Sequence, residues 1–182
     1  MVDIWSRLDA LEPVPHPKRA RSAVLVPLYR DDDGDVRVIL TKRPEHMRSH
    51  PGDVVFPGGR MEKGEEPART AIREACEEIG LPPDAVTVLG GLSPVTTRDP
   101  LNLIIPVVAR VDRPAELHPD RSEVEVIIEP TMRELLDDDN WRTSRWFGRT
   151  MWFYEFADGI MWGATGFVMR ELIALVRGEA GS

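Results

Sequence analysis

Apolar residues recur at helical spacing near both ends of the chain and in an acidic segment near its middle. Ile4, Trp5, Leu8 and Leu11 follow the repeat of an amphipathic helix, which the proline-rich segment 13–17 ends. The same spacing predicts further helices over residues 66–79, 132–136 and 166–177.

Runs of apolar and β-branched residues predict strands between these helices. The runs occupy residues 23–29, 36–41, 86–92, 103–111, 123–129, 151–156 and 160–162. Strands outnumber helices and do not alternate regularly with them, which predicts an α/β (α+β) fold with helices packed on a mixed β-sheet. Residues 43–59 are rich in Pro, Gly, Arg and His and predict a long loop, a feature that is usually functional in a compact domain.

The length of 182 residues fits a single domain with a sizeable core. We expect an N-terminal helix and Pro-rich linker over residues 1–21, one domain over residues 22–178 and a short tail over residues 179–182. The N-terminal segment lacks the basic start and apolar stretch of a secretory signal.

The net charge of −8 disfavours general binding to nucleic acid or to an anionic membrane surface. No apolar run approaches the roughly 20 residues that span a bilayer. The single cysteine allows no internal disulfide and fits a reducing compartment, so we expect a cytoplasmic protein. An anionic substrate would need metal ions or local arginines to offset the repulsion.

The acidic helix carries the candidate chemistry. Glu74, Glu77 and Glu78 are spaced i, i+3 and i+4, so they share one helix face. Three neighbouring carboxylates repel one another, and a hard divalent cation removes that cost. Arg73 can orient one carboxylate, with Glu65 as its partner. Taken alone, the triplet is more typical of a solvated surface helix than of a metal site, since glutamate is a good helix former.

Residues 59–81 resemble the signature of the Nudix hydrolase family, G-x5-E-x7-R-E-U-x-E-E-x-G-U, with U an aliphatic residue. Every fixed position matches without a gap. The matching residues are Gly59, Glu65, Arg73, Glu74, Ala75, Glu77, Glu78, Gly80 and Leu81.

The resemblance implies a Nudix fold, a mixed β-sheet sandwiched between helices. It implies that Glu74 and Glu78 hold Mg²⁺ or Mn²⁺ and that Glu77 belongs to the same metal shell. Arg73 and Glu65 would orient the site. The family also needs a general base for the attacking water, and the sequence leaves open whether this is Glu74 or a residue of a distant loop, Glu123 or Glu125.

The segment 39–59 is similar to a second signature, that of the coenzyme A pyrophosphatase branch, L-L-T-x-R-[SA]-x3-R-x3-G-x3-F-P-G-G. Pro44 departs from the usual Ser or Ala, and residues 99–101 depart from a further stretch of this branch. The residues in register are Leu40, Thr41, Arg43, Arg48, Gly52, Phe56, Pro57, Gly58 and Gly59. Arginine recognises phosphate through paired donors. We therefore expect Arg43, Arg48, Gly58 and Gly59 to contact the substrate.

The resemblance predicts hydrolysis of coenzyme A or its derivatives to 3′,5′-ADP and 4′-phosphopantetheine. Two alternatives stay open, a pyrophosphatase for ADP-ribose or NADH and a Nudix module that binds a nucleotide without cleaving it. The expected partner is a small nucleotide-like molecule. Exposed Trp or Met side chains in the C-terminal third could also build a homodimer interface.

Overall fold

The computed structural model of the chain describes residues 3–97 and 101–179. Its helices and strands alternate irregularly along the chain. In order they are α1 (Ile4–Leu8), β1 (Ala20–Arg30), β2 (Val36–Val38), β3 (Leu40–Lys42), β4 (Val54–Val55), β5 (Gly58–Arg60), α2 (Pro67–Ile79), β6 (Val86–Gly91), β7 (Val95–Thr96), β8 (Leu103–Val111), β9 (Val126–Ile128), α3 (Met132–Leu136), β10 (Trp141–Trp146), β11 (Arg149–Glu155), β12 (Ile160–Met161) and α4 (Gly163–Arg177).

A mixed sheet forms the centre of the molecule, with strand order β2-β1-β8-β6. The long strands β1 and β8 run parallel, and their neighbours run antiparallel to them. A parallel pair needs a long crossover connection, and α2 lies within it. One edge of β1 is shared, because β2 pairs with its end and β5 pairs with its beginning.

Helices cover both faces of this sheet. Side chains of a strand alternate between its faces, so Leu25 packs in one apolar cluster with Ala75 and Ile79 of α2. Leu28 packs in the other cluster, with Leu172 of α4. The expectation of a mixed β-sheet sandwiched between helices is therefore confirmed.

The predicted strand 36–41 divides at Ile39 into two strands of different sheets. β2 pairs with β1, whereas β3 pairs with β4 and β9. The backbone N–H of Ile39 donates to the carbonyl of Pro27 at 3.0 Å, which holds the crossing point against the central sheet. The division brings the segment that follows Thr41 beside β9.

Three other sequence expectations need correction. The strand predicted over 123–129 spans only β9, because the N–H groups of Glu123 and Val124 donate to the carbonyl of Asp120 in a turn. The segment 43–59 is not loop throughout, since it contains β4 and the start of β5. The last helix begins at Gly163 rather than at residue 166.

The N-terminal segment packs against the domain. Trp5 and Leu8 of α1 are buried in the apolar cluster that includes α4. The carbonyl of Glu12 accepts a hydrogen bond of 3.0 Å from the N–H of Gly91 in β6. Of the predicted tail, residues 180–182 lie outside the described residues. No helix within the described ranges 3–97 and 101–179 is long and apolar enough to cross a membrane.

Candidate active site

Two glycines of β5 bring the sheet edge against the acidic helix α2. A Cβ atom on Gly59 would lie 2.5 Å from the carboxyl carbon of Glu74, and a Cβ on Gly58 would collide with the backbone of Ala23 in β1. Only glycine fits such close approaches. The glycine pair therefore allows the carboxyl groups of α2 to lie directly beside the backbone of β5.

Glu78 is buried at this contact, with 6% of its surface exposed. Its Oε2 accepts a hydrogen bond of 3.1 Å from the N–H of Gly58. Burial raises the pKa of Glu78 to about 8, and the negative charges of Glu123 and Glu74 add to the rise, while the Gly58 N–H and the charge of Arg43 oppose it. The carboxyl group thus lies among other carboxylates and has no ion-pair partner within the described part of the chain.

Glu65 has the opposite environment. Arg73 donates to Oε1 of Glu65 from Nε at 2.9 Å and to Oε2 from Nη2 at 3.0 Å. The hydroxyl of Thr70 and the backbone N–H of Glu62 also donate to Oε2, at 2.7 and 3.0 Å. These bonds, led by those of Arg73, lower the pKa of Glu65 to about 2. The pairing of Arg73 with Glu65 expected from the sequence is present.

Arg73 also binds two of the three glutamates of the helix, Glu74 and Glu77. Its Nη1 lies 2.8 Å from Oε1 of Glu74 and 3.4 Å from Oε2 of Glu77, whose side chain is largely exposed. Burial nevertheless raises the pKa of Glu74, with Arg73 acting against the rise. Among residues 3–97 and 101–179, no group of three or more His, Cys, Asp or Glu side chains is arranged to hold a metal ion. Arg73 lies between Glu74 and Glu77, and Glu78 is bonded to Gly58.

The donor set nevertheless fits a hard divalent cation. Glu74 and Glu78 are one turn apart, and burial raises the pKa of both, although Arg73 opposes the rise at Glu74. Carboxylate oxygens are the donors that Mg²⁺ and Mn²⁺ prefer. A bound cation would offset the cost of ionising these two groups, above all that of Glu78, and Glu77 would have to leave Arg73 to join them.

The two arginines of the 43–59 segment lie in different environments. The charge of Arg43 acts on Glu78, and its backbone N–H donates to the carbonyl of Asp53 at 3.0 Å. Its Nε donates to the carbonyl of Ser49 at 3.2 Å. Arg48 is exposed and forms no hydrogen bond or ion pair with the described residues. The structure thus brings Arg43 toward the carboxylates and does not bring Arg48 there.

The two candidate bases of the distant loop are also distinct. Glu125 is paired with Lys42, with 3.3 Å between Oε1 and Nζ, and its backbone N–H donates to the Lys42 carbonyl. The charge of Glu123 raises the pKa of both Glu74 and Glu78. Glu123 is therefore the loop carboxylate that faces the site. The sequence could not distinguish it from Glu125, because the distinction depends on Lys42 of β3 lying beside Glu125.

Sequence reasoning missed one contact that ties the loop to the C-terminal strands. The indole Nε1 of Trp162 donates to Oδ1 of Asp53 at 2.9 Å, and Nδ1 of His50 lies 3.1 Å from Oδ2 of the same residue. Both contacts help to lower the pKa of Asp53 against the effect of burial. No sequence pattern joins Asp53 and Trp162, which are 109 positions apart. Asp99 and Pro100, where the chain departs from the branch pattern, lie outside the described residues.

Comparison with known proteins identifies the family of this chain. The pattern of the NUDIX domain matches residues 18–148. Nudix hydrolase 22, chloroplastic, of Arabidopsis thaliana is 38% identical over 171 residues, which are 88% of this chain and 56% of that protein. A Nudix hydrolase of Enterobacter sp. (strain 638) named NudL is 32% identical over 178 residues, covering 93% of this chain and 91% of that protein. The chain thus spans little more than half the length of the plant relative.

Solved structures share the fold at lower sequence identity. The crystal structure of a C. elegans Ap4A hydrolase binary complex has a TM-score of 0.57 at 16% identity, covering 87% of this chain and 99% of that one. The Nudix hydrolase RenU from M. smegmatis has a TM-score of 0.56 at 24% identity, covering 65% of this chain and 74% of that one. The matched domain and the similarity to NudL over nearly the whole chain lead to one conclusion: this protein belongs to the Nudix hydrolase family.

Proposed function

We propose that the protein is a divalent-metal-dependent pyrophosphatase that hydrolyses the diphosphate of coenzyme A or its derivatives to 3′,5′-ADP and 4′-phosphopantetheine. The observation that carries the proposal is the pair Glu74 and Glu78. Both carboxylates lie against the glycine strand, Glu78 has no ion-pair partner among the described residues, and the charge of Arg43 in the second signature acts on Glu78. The branch assignment rests on the signature over residues 39–59.

Glu74 and Glu78 would hold Mg²⁺ or Mn²⁺, with Glu77 in support. The cation, when bound, neutralises the diphosphate and makes water a better nucleophile. The Gly58 N–H fixes the rotamer of Glu78, and Glu65 fixes the guanidinium of Arg73. Arg43 and the backbone of Gly58 and Gly59 would face the phosphates. Arg48 would reach them only through movement of its exposed side chain.

Glu123 is the general base in this proposal. Water attacks one phosphorus, a P–O bond forms, and the bond from the bridging oxygen to that phosphorus breaks. Glu123 takes the proton of the attacking water. Glu74 is less suited to this role because Arg73 already binds its Oε1 at 2.8 Å, and Glu125 is paired with Lys42.

The assignment of the base is tested by two matched substitutions in one loop. Glu123→Gln should lower kcat about a hundredfold, the ordinary contribution of a general base. Glu125→Gln should lower kcat less than about threefold, since it removes an exposed ion pair. Equal losses in the two variants would contradict the assignment to Glu123.

The substrate is tested by chromatographic product analysis with Mn²⁺ and, side by side, coenzyme A, dephospho-coenzyme A, ADP-ribose and NADH. The proposal predicts that 3′,5′-ADP from coenzyme A is formed fastest. Preferential cleavage of ADP-ribose or NADH would establish the second candidate, which is kept because Pro44 stands where the branch has Ser or Ala. Tight binding without any product would indicate a non-catalytic module. The presence of all the signature glutamates argues against that alternative.

We further propose that the enzyme works in the cytoplasm, where its single cysteine would stay reduced. The names of two plant relatives place those proteins in the mitochondrion and the chloroplast. The expected homodimer stays a prediction.

A further inference from the structure

Three aromatic rings form a cluster on the outer surface of the β10–β11–β12 sheet, here called the aromatic face: Trp146, Phe153 and Trp162. The rings of Phe153 and Trp162 are 6.1 Å apart between centroids and nearly parallel, at 7°. The ring of Trp146 leans against both, at 5.8 Å from Trp162 and 6.0 Å from Phe153. Trp146 is 40% exposed, so the cluster presents part of a large aromatic ring to solvent.

Two arginines lie on the same side of the sheet as these rings. Residues 141–149 contain three arginines and no acidic residue, and the third, Arg145, lies on the opposite side. Arg149 is the cross-strand partner of Trp146, so both side chains lie on one side of the sheet. Arg149 is exposed and forms no ion pair within the described residues, while Arg142, opposite Phe153, is 3.9 Å from Glu155. A ligand that suits this surface has a flat ring and a negative charge.

The aromatic face contacts the loop that carries Arg43. Trp162 donates to the side chain of Asp53, whose backbone carbonyl accepts the N–H of Arg43 at 3.0 Å. The charge of Arg43 in turn acts on Glu78. The face therefore borders the arginine-bearing loop, on which the phosphates are proposed to lie.

We propose that the aromatic face binds the purine base and the ribose-bound phosphate of the substrate, with Trp146 stacking on the base and Arg149 pairing with the phosphate. This inference rests on the proposed function and extends it to the nucleotide half of the substrate. Stacking of a base on an aromatic side chain and pairing of guanidinium with phosphate are both strong contacts. A second copy of the chain suits the face less well, because a two-fold interface there would bring the arginines of both copies together.

The test measures binding of adenosine 3′,5′-bisphosphate to the metal-free protein by isothermal titration calorimetry. Trp146→Ala should raise Kd about tenfold or more, and Trp146→Phe should restore most of the affinity. Arg149→Ala should raise Kd for the bisphosphate about tenfold and leave binding of adenosine unchanged. The matched control is Arg145→Ala, which removes the same charge from the same hairpin but on the opposite side of the sheet, across from Thr150. It should change Kd less than twofold.

Several results would overturn the inference. These are a wild-type protein that does not bind the bisphosphate, a folded Trp146→Ala variant with unchanged Kd, and equal effects of Arg145→Ala and Arg149→Ala. A different result would identify the face as an interface between two copies of the chain. In that case light scattering would show a dimeric wild type and a monomeric Trp146→Ala variant, while the Kd for the bisphosphate would be unchanged.

Activity assays on the same variants separate this inference from the proposed function. If the inference holds, Trp146→Ala raises KM for coenzyme A and leaves kcat nearly unchanged. Cleavage of coenzyme A with unchanged bisphosphate affinity in Trp146→Ala would refute only the aromatic face. Trp146-dependent binding by a protein that cleaves no tested diphosphate would refute only the proposed hydrolysis.

Discussion

Glu65 and Glu78 are two almost fully buried carboxyl groups of the same loop–helix segment, 9% and 6% exposed, yet their pKa values are shifted in opposite directions. The pKa of Glu65 falls to about 2, mainly because Arg73 binds both of its oxygens. The pKa of Glu78 rises to about 8, mainly because burial outweighs its one backbone hydrogen bond.

The difference separates a structural group from a candidate ligand. Both oxygens of Glu65 accept hydrogen bonds, led by those of Arg73, so the folded chain favours its charged form without an added cation. Glu78 is costly to ionise until a cation arrives, and Glu74 shares part of that cost. Two glutamates that are buried to a similar extent therefore have different roles. The difference is Arg73, which binds Glu65 and does not bind Glu78.

The largest expected effect on turnover comes from neutralising Glu78, which has no ion-pair partner among the described residues. Glu78→Gln keeps an acceptor for the Gly58 N–H but cannot bind the cation as a carboxylate does. We expect kcat to fall about a thousandfold, equivalent to about 4 kcal/mol. The thermal midpoint at pH 8 without metal should stay the same or rise, because the variant removes a buried charge. Near-wild-type turnover in the purified variant would show that Glu78 is not a ligand.

The corresponding substitution at Glu65 should lower the stability of the folded protein. Glu65→Gln leaves the Arg73 guanidinium without the carboxylate that binds it twice, and we expect the free energy of unfolding to fall by about 2 kcal/mol. Urea denaturation at pH 7 measures the change. Glu66→Gln is the control on the neighbouring residue, whose exposed side chain pairs with His16 and with no other residue in the ranges 3–97 and 101–179. A Glu65→Gln variant as stable as that control would remove the distinction drawn between the two carboxyl groups.

The pH dependence of stability offers a smaller but more specific test. The folded-state pKa of Glu78 is raised, so its contribution to stability is complete below the unfolded-state pKa of about 4.3 and is lost as the pH rises through about 8. Glu65 has a lowered pKa, so its contribution is complete at neutral pH and is lost only as the pH falls toward about 2.

Between pH 6 and 8 in EDTA, the free energy of unfolding of the wild type should therefore fall by about 2 kcal/mol relative to that of Glu78→Gln. Excess Mg²⁺ should flatten this difference, because cation binding favours the ionised carboxylate. Parallel curves for the two proteins in EDTA would mean that Glu78 is already compensated.

The signature region was the part of the molecule most open to prediction from sequence. Helix α2 ends at Ile79 as expected, and Arg73 pairs with Glu65. Both follow from local spacing and from a glycine at the helix end. The burial of Glu78 could not be predicted locally, because it depends on β5 pairing with β1 and bringing Gly58 onto the helix.

Long-range pairing also explains the missed elements. Strand β10 carries five exposed residues after Trp141 and lacks apolar alternation, so only its pairing with β11 makes it a strand. The change of sheet at Ile39 left no mark in the apolar pattern, since both halves of that run are buried. The aromatic face is built by the same missed strand, which is why its three rings could not be grouped in advance.

The most direct test of the account is a titration of the protein with Mn²⁺ at pH 7.5. Binding is measured as the loss of the electron paramagnetic resonance signal of the free ion. The account predicts saturable binding by the wild type, at least about tenfold weaker binding by Glu78→Gln and wild-type binding by the control Glu66→Gln. Equal Mn²⁺ affinity in the wild type and Glu78→Gln would contradict the claim that the buried, uncompensated carboxyl group is the metal ligand.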